Sequence, residues 1–257
     1  RKMPMLRRVY MDNTRLSVSE ANKFRSENKG VLIIYQSENL TLWWNQLSDN
    51  WKEIFKGYVN IATNDPTKEE LAELGYINNL NIGGRSDINS LEPIRPLIFL
   101  QSLDANNCPI VTLEPLRNLR DLHQLNIANT EVTSLEPLSQ LANLSQLNAR
   151  NSKITSLDGV AGLSALNTIY LDSTTIADLK ELHTLSSLEK VYADETGITD
   201  EIAIAFWNAK PNALLVYKTN ELMDWWSLLD PQWQQIFQQN LTMDNNPNAE
   251  QLHRLFA

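Results

Sequence analysis

Leu125-Asn126-Ile127-Ala128-Asn129-Thr130-Glu131-Val132-Thr133-Ser134-Leu135-Glu136-Pro137-Leu138-Ser139-Gln140-Leu141-Ala142-Asn143-Leu144 is one copy of a pattern written about five times between Leu100 and Ile198. Equivalent leading positions are 22 residues apart each time (125−103, 147−125, 169−147, 191−169). A fixed period in the twenties marks stacked supersecondary units, because a unit this short cannot bury its apolar face alone. In each copy the leading positions alternate inward and outward, as in a short parallel strand: Leu103/Ala105, Leu125/Ile127, Leu147/Ala149, Ile169/Leu171, Val191/Ala193. A turn follows, then an inward apolar residue (Ile110, Val132, Ile154, Ile176, Ile198) and a leucine three further on (Leu113, Leu135, Leu157, Leu179). The return limb carries leucines such as Leu116, Leu119 and Leu122, spaced for a short helix or 3₁₀ turn. Glu-Pro at 92–93, 114–115 and 136–137 starts that limb, since proline fits a first helical position.

A second, longer repeat surrounds the first. Residues 6–55 align without a gap on residues 188–237 at a constant offset of 182 (191−9, 225−43, 237−55), with about a third of positions identical. Val9-Tyr10 pairs with Val191-Tyr192, Tyr35 with Tyr217, Trp43-Trp44 with Trp225-Trp226, Trp51 with Trp233, and Ile54-Phe55 with Ile236-Phe237. With a one-residue slip the match continues: Asp65-Pro66 meets Asn246-Pro247, and Glu69 to Leu74 meets Glu250 to Leu255. The chain, which begins at Arg1, is expected to be a window on a longer protein of tandem superrepeats. Between Leu40 and Tyr76 the apolar residues step by three and four, as on helices with one apolar face. Two or three short helices are predicted there, followed by a first strand at Leu80-Asn81-Ile82. Ser48 and Asp230 are N-cap candidates, and Pro66 and Pro247 are expected at helix starts. A further helix is predicted over 200–208, ahead of a strand at Leu214-Leu215-Val216-Tyr217. The tryptophans also fit a carbohydrate-stacking platform, but their helical spacing favours packing in a core.

These residues resemble the leucine-rich repeat proteins of the 22-residue class, the bacterial internalin-like and SDS22-like chains, over about residues 77–217 and 6–35. The resemblance implies an α/β leucine-rich repeat solenoid, a right-handed α-β superhelix with short parallel strands on its concave face and inserted Trp-rich helical caps. The expected organisation is residues 1–39 as the terminal repeat of a preceding array, 40–76 as a helical cap, 77–219 as the array, and 220–257 as a second cap. One departure stands out. Where such chains usually carry asparagine at the turn, this one has Cys108, Thr130, Ser152, Thr174, Thr196 and, in the early copy, Thr14. Small hydroxyl and thiol groups can still bond neighbouring carbonyls, so a lighter ladder along the stack is expected, with Cys108 a buried structural residue.

Composition narrows the function. Net charge is −9 with a pI near 4.9 and no Lys/Arg stripe, which argues against nucleic acid and anionic membrane as partners. The basic opening (Arg1, Lys2, Arg7, Arg8) is too short to reverse that. No apolar run approaches the length of a membrane span, and the single cysteine excludes an internal disulfide framework. His123, His183 and His253 lie far apart with no catalytic motif around them, and Gly83-Gly84 opens no phosphate loop. Neither a cofactor nor a metal is expected; Asp172, Asp194 and Glu195 read as a solvated acidic face rather than a calcium loop. Asn39, Asn143 and Asn240 open glycosylation-type triplets, unremarkable in an Asn-rich chain.

Outward strand residues are therefore the candidate site: Asp104, Asn126, Asn148, Arg150, Tyr170, Asp172, Tyr192, Asp194 and Tyr217. They run from amide-rich to tyrosine-rich, and tyrosine and arginine are the residues that most often carry interface energy. The expected function is a non-enzymatic scaffold binding a protein partner through this face, within a larger chain. Carbohydrate or small-ligand binding, a structural spacer, and regulation of a partner enzyme such as a phosphatase are the alternatives. The resemblance also implies a bacterial cell-surface or secreted location.

Overall fold

A computed structural model describes residues 5–28, 30–241 and 243–255. Strand β1 (Arg8–Tyr10) is followed by helix α1 (Val18–Glu27) and strand β2 (Leu32–Ile34), and the two strands pair in parallel. Helices α2 (Ser37–Gln46), α3 (Asp49–Tyr58) and α4 (Lys68–Leu74) follow. A seven-stranded parallel sheet then runs in sequence order: β3 (Asn79–Asn81), β4 (Ser102–Asp104), β5 (Gln124–Asn126), β6 (Gln146–Asn148), β7 (Thr168–Tyr170), β8 (Lys190–Tyr192) and β9 (Leu214–Val216). Helix α5 (Asp200–Ala209) lies between β8 and β9, and α6 (Thr219–Leu228), α7 (Pro231–Leu241) and α8 (Ala249–His253) close the chain. The architecture is an α/β leucine-rich repeat solenoid.

Each coil returns through a 3₁₀ turn: Glu92–Ile94, Glu114–Leu116, Glu136–Leu138, Val160–Gly162 and Lys180–Thr184. The first three begin on the Glu-Pro pairs, as the sequence predicts. The register sets Leu103, Leu125, Leu147, Ile169 and Val191 side by side, all buried. With the inward residues of turn and return limb they form one continuous core. A fully buried leucine contributes about 1.5–3 kcal/mol, so this ladder holds a stack whose strands are only three residues long.

The turns differ from expectation. Thr130 Oγ1 donates to Ile127 O (2.7 Å), Ser152 Oγ to Ala149 O (2.7 Å), Thr174 Oγ1 to Leu171 O (2.6 Å) and Thr196 Oγ1 to Ala193 O (2.7 Å). These hydroxyls close their own coil and do not bridge to the next. Only Cys108 reaches along the stack, its Sγ 3.0 Å from Ile82 O in the preceding coil, and burial pushes its thiol pKa up. Links along the stack run instead through the residue just before. Asn107, Asn129, Asn151, Ser173 and Glu195 all adopt left-handed backbone, φ 50–57°. Asn151 Nδ2 donates to Asn129 Oδ1 (2.8 Å) and Ser173 Oγ to Glu195 Oε2 (2.7 Å). Among residues with a side chain, asparagine is one of the few that tolerate this conformation well.

The 182-residue offset recurs element by element: β1, α1, β2, α2 and α3 correspond to β8, α5, β9, α6 and α7. Asp12 accepts the backbone N–H (3.0 Å) and hydroxyl (2.5 Å) of Ser37 at the start of α2, and Asp194 does the same for Thr219 (2.7 and 2.6 Å) at the start of α6. Burial opposes ionisation of Asp12, but the Ser37 bonds prevail and hold its carboxyl below the ordinary value. α4 and α8 start on equivalent capping boxes, Thr67/Glu70 and Asn248/Gln251. Pro66 and Pro247 therefore sit just outside the N-caps, where they shape the approach, and not at the first helical position as predicted. Helices α2 and α6 begin at Ser37 and Thr219, ahead of the expected cap boundaries, because the aspartates supply their caps. Ser48 caps α3, and Asp230 Oδ1 accepts from Gln232 N (2.8 Å) at the start of α7. No helix among the described residues is long and apolar enough to cross a membrane.

Candidate functional site

The sheet presents one file of side chains fixed by register: Asn81, Asp104, Asn126, Asn148, Tyr170, Tyr192, Val216. In the first half of the file each side-chain oxygen accepts the backbone N–H two residues on. The bonds are Gly83 N to Asn81 (2.9 Å), Asn106 N to Asp104 (3.1 Å), Ala128 N to Asn126 (3.2 Å) and Arg150 N to Asn148 (3.2 Å). These Asx turns steer the chain into the left-handed residue that follows. They use the oxygens only, and among the described residues nothing holds the NH₂ groups of Asn126 and Asn148. Asp104 also accepts from Asn106 Nδ2 (2.6 Å).

The second half is a connected cluster. Tyr170 and Tyr192 stack with ring centroids 4.6 Å apart and planes 14° from parallel. The Arg150 guanidinium lies 4.4 Å from the Tyr170 centroid and 5.6 Å from that of Tyr192, and its Nε is bonded to Asp172 Oδ2. Asp172 Oδ1 accepts from Asp194 N (2.9 Å), so the carboxylate that orients Arg150 is itself held by the next coil. An aromatic pair adds about 0.5–1.5 kcal/mol beyond buried area and an exposed cation–π contact about 0.5–1. Each member of the cluster is thus braced by another.

Two candidates are committed elsewhere. Asp194 caps α6 through Thr219, and Tyr217 lies outside the tyrosine file. The coil from β8 to β9 carries α5 and is two residues longer (215−191 = 24), so Val216 and not Tyr217 stands beside Tyr192. The Tyr217 backbone N–H donates to His253 Nε2 (2.9 Å), its hydroxyl donates to Asp200 (3.3 Å), and its ring meets the edge of Trp207. His253, buried in α8, also sets Nδ1 2.7 Å from Ala249 O, so it joins β9 to α8 as a structural residue.

Sequence reasoning missed Glu250. From α8 it reaches across β8: Lys190 Nζ donates to it at 2.9 and 3.0 Å, and the Tyr192 hydroxyl donates to Oε1. The Tyr192 and Lys190 bonds hold the Glu250 carboxyl below its ordinary range. Burial first, then the Glu250 bond and charge, push the Tyr192 phenol up. The end of the file is therefore latched by the cap. Glu69, the alignment partner of Glu250 in the first copy, gave no signal that such a bond forms.

One further feature lies at the junction of the first unit and the array. Arg25 is buried, its guanidinium 4.2 Å from the Tyr76 centroid and 4.9 Å from that of Phe99, beside a cavity of about 260 Å³ lined by Ile33, Tyr35, Trp43, Pro96 and neighbours. Its Nε has no hydrogen-bond partner, and no carboxylate pairs with it among the described residues. Trp207 occupies the equivalent position of the second copy. Among the described residues no His/Cys/Asp/Glu group could hold a metal ion. The basic opening at Arg1 and Lys2, and Thr242 of the third glycosylation-type triplet, lie outside the described residues.

Residues 98–140 match the family described as Leucine Rich repeats (2 copies). Among solved structures, a leucine-rich repeat protein of Leptospira interrogans is similar at 23% identity and TM-score 0.53, over 57% of this chain and 38% of that one. Internalin C2 of Listeria monocytogenes is similar at 20% identity and TM-score 0.50, over 64% of this chain and 80% of that one. The match thus spans well under half of the Leptospira protein. No curated protein matches by sequence. At these identities the likeness establishes the fold.

Proposed function

We propose that this chain is a non-enzymatic scaffold that binds a protein partner through the outer face of its strands, centred on Arg150, Tyr170 and Asp172, with Asn126 and Asn148 as flanking donors. The observation that carries this reading is the Arg150–Tyr170–Tyr192 stack braced by Asp172. It combines the side chains that dominate interface energetics with a geometry fixed in advance, so little ordering entropy opposes binding. We also propose the division into a terminal repeat (1–39), a cap (40–76), an array (77–219) and a second cap (220–257), as part of a larger tandem-repeat protein at a bacterial surface. The recurrence of elements at the 182-residue offset supports it.

The test is a binding screen of the immobilised chain against panels of purified surface proteins and of glycans. Arg150→Ala and Tyr170→Ala abolish capture of a protein hit while costing only the stacking and cation–π energy of about 1–2 kcal/mol, a fall of about 2–8 °C in melting temperature with unfolding still cooperative. Capture that survives both substitutions refutes the sheet-face site. A glycan signal that vanishes with Tyr170→Ala, without any protein hit, replaces the protein reading with a carbohydrate one.

A further inference from the structure

Helices α3 and α7 are the same sequence element at the 182-residue offset, yet their apolar faces meet different surroundings. Trp51 is 4% exposed and its counterpart Trp233 is 55%; Ile54 is 8% and Ile236 is 43%. α7 buries no residue at all. The first coil of the array covers α3. Trp51, Ile54 and Phe55 belong to the continuous core that includes Leu80, Ile82, Ile88 and Leu91 of the first coil of the array. Polar contacts fix that coil in place: Asn81 N donates to the Tyr58 hydroxyl (2.7 Å), and the Trp43 indole N–H donates to Pro93 O (3.2 Å). In the second copy Trp226, Met243 and Leu252 form a separate, smaller core, and Phe237 packs against it only partly buried. The opposite side of the two caps is alike: α4 packs on β2 and α8 on β9.

We propose that the face of α7 bearing Trp233, Ile236 and Phe237 is the seat of a leucine-rich repeat coil, one with the chemistry of residues 77–100. Such a coil brings a short strand whose inward apolar residues cover the helix and whose last backbone N–H meets a polar side chain there. At the position of Tyr58 the second copy has Asn240, whose amide can accept the same bond. A second copy of this chain docking by its own open end is a poorer fit. That end presents β1, the equivalent of β8 and not of the first strand β3, whose own helical neighbour is already in place. The cap is therefore two-sided: one side closes an array through α8, and the other starts an array through α7. This deepens the tandem reading above and is independent of the sheet-face site.

The test extends the full chain by a second copy of residues 77–217 placed after Ala257, which keeps the register of the one-residue slip (257−181 = 76). Hydrogen exchange of α7 is compared in the original and extended chains, each with and without Trp233→Asp. Seating slows α7 exchange in the extended chain by at least about tenfold, the signature of a helix joined to a cooperative core. Trp233→Asp then removes that protection and lowers the extended chain's melting temperature, while leaving the original chain's unchanged. Protected appended strands beside an unprotected α7 overturn the proposal, as do appended strands that stay unprotected themselves. Equal effects of Trp233→Asp in both chains also overturn it. Loss of partner capture at Arg150 and Tyr170 reports on the sheet face alone, so failure of one reading is distinguishable from failure of the other.

Discussion

Replacing Glu250 by glutamine unlatches α8 from β8. The carboxylate takes two contacts from Lys190 Nζ at 2.9 and 3.0 Å and one from the Tyr192 hydroxyl. Hydrogen bonds to a charged group contribute about 1.5–3 kcal/mol. The Lys190 and Glu250 side chains are 35% and 31% exposed, so solvent screening lowers the expected loss to about 1–2 kcal/mol. Solenoid ends open locally, so the sensitive assay is exchange of α8 amides, which should quicken by about 5–30-fold at pH 7. The pH dependence has a definite sign. Glu250 has a depressed folded-state pKa, so its contribution is complete above the unfolded value of about 4.3 and is lost as pH falls through the folded one. Other paired carboxylates such as Asp12 titrate in the same region, so only the difference between wild type and variant isolates Glu250. That difference should be full at pH 7 and vanish well below pH 4. A variant whose α8 exchanges like wild type at pH 7, or a difference that persists unchanged in acid, refutes the latch.

Two other substitutions separate packing from local propensity. Gly162→Ala places a methyl 2.1 Å from Ser139 O in the preceding return limb, so it should destabilise by about 1–3 kcal/mol. Gly57→Ala on the outer side of α3 meets nothing within 4 Å and should stabilise by about 0.5–1 kcal/mol in the same denaturant titrations. The Cys108 thiol, buried and with its pKa raised, should react with an aromatic disulfide reagent only at the rate of unfolding. Prompt reaction in native buffer would show that the second coil opens on its own.

The core was legible because burial acts on residue type at fixed spacing: Leu103, Leu125, Leu147, Ile169 and Val191 could hardly sit anywhere but inward. The turn was half legible. Asn107, Asn129 and Asn151 carry a left-handed backbone preference in plain sight, but Ser173 and Glu195 adopt the same conformation only because their neighbours in the stack impose it. Tyr217 was misplaced because four consecutive apolar residues, Leu214-Leu215-Val216-Tyr217, hide the in–out alternation; the register turns Leu215 inward and puts Val216 in the file. Glu250 stayed hidden because its partners lie 60 and 58 residues away, and no local pattern encodes a bond closed by tertiary docking. The two copies make the general point more sharply than any single residue does. Trp51 and Trp233 stand in matching contexts, Asn50-Trp51 and Gln232-Trp233, ahead of the same Ile-Phe pair, yet one is buried and the other half bare. Local sequence set the helix and the direction of its apolar face in both cases. What it could not set is whether a coil lies against that face, because burial belongs to the neighbour as much as to the helix.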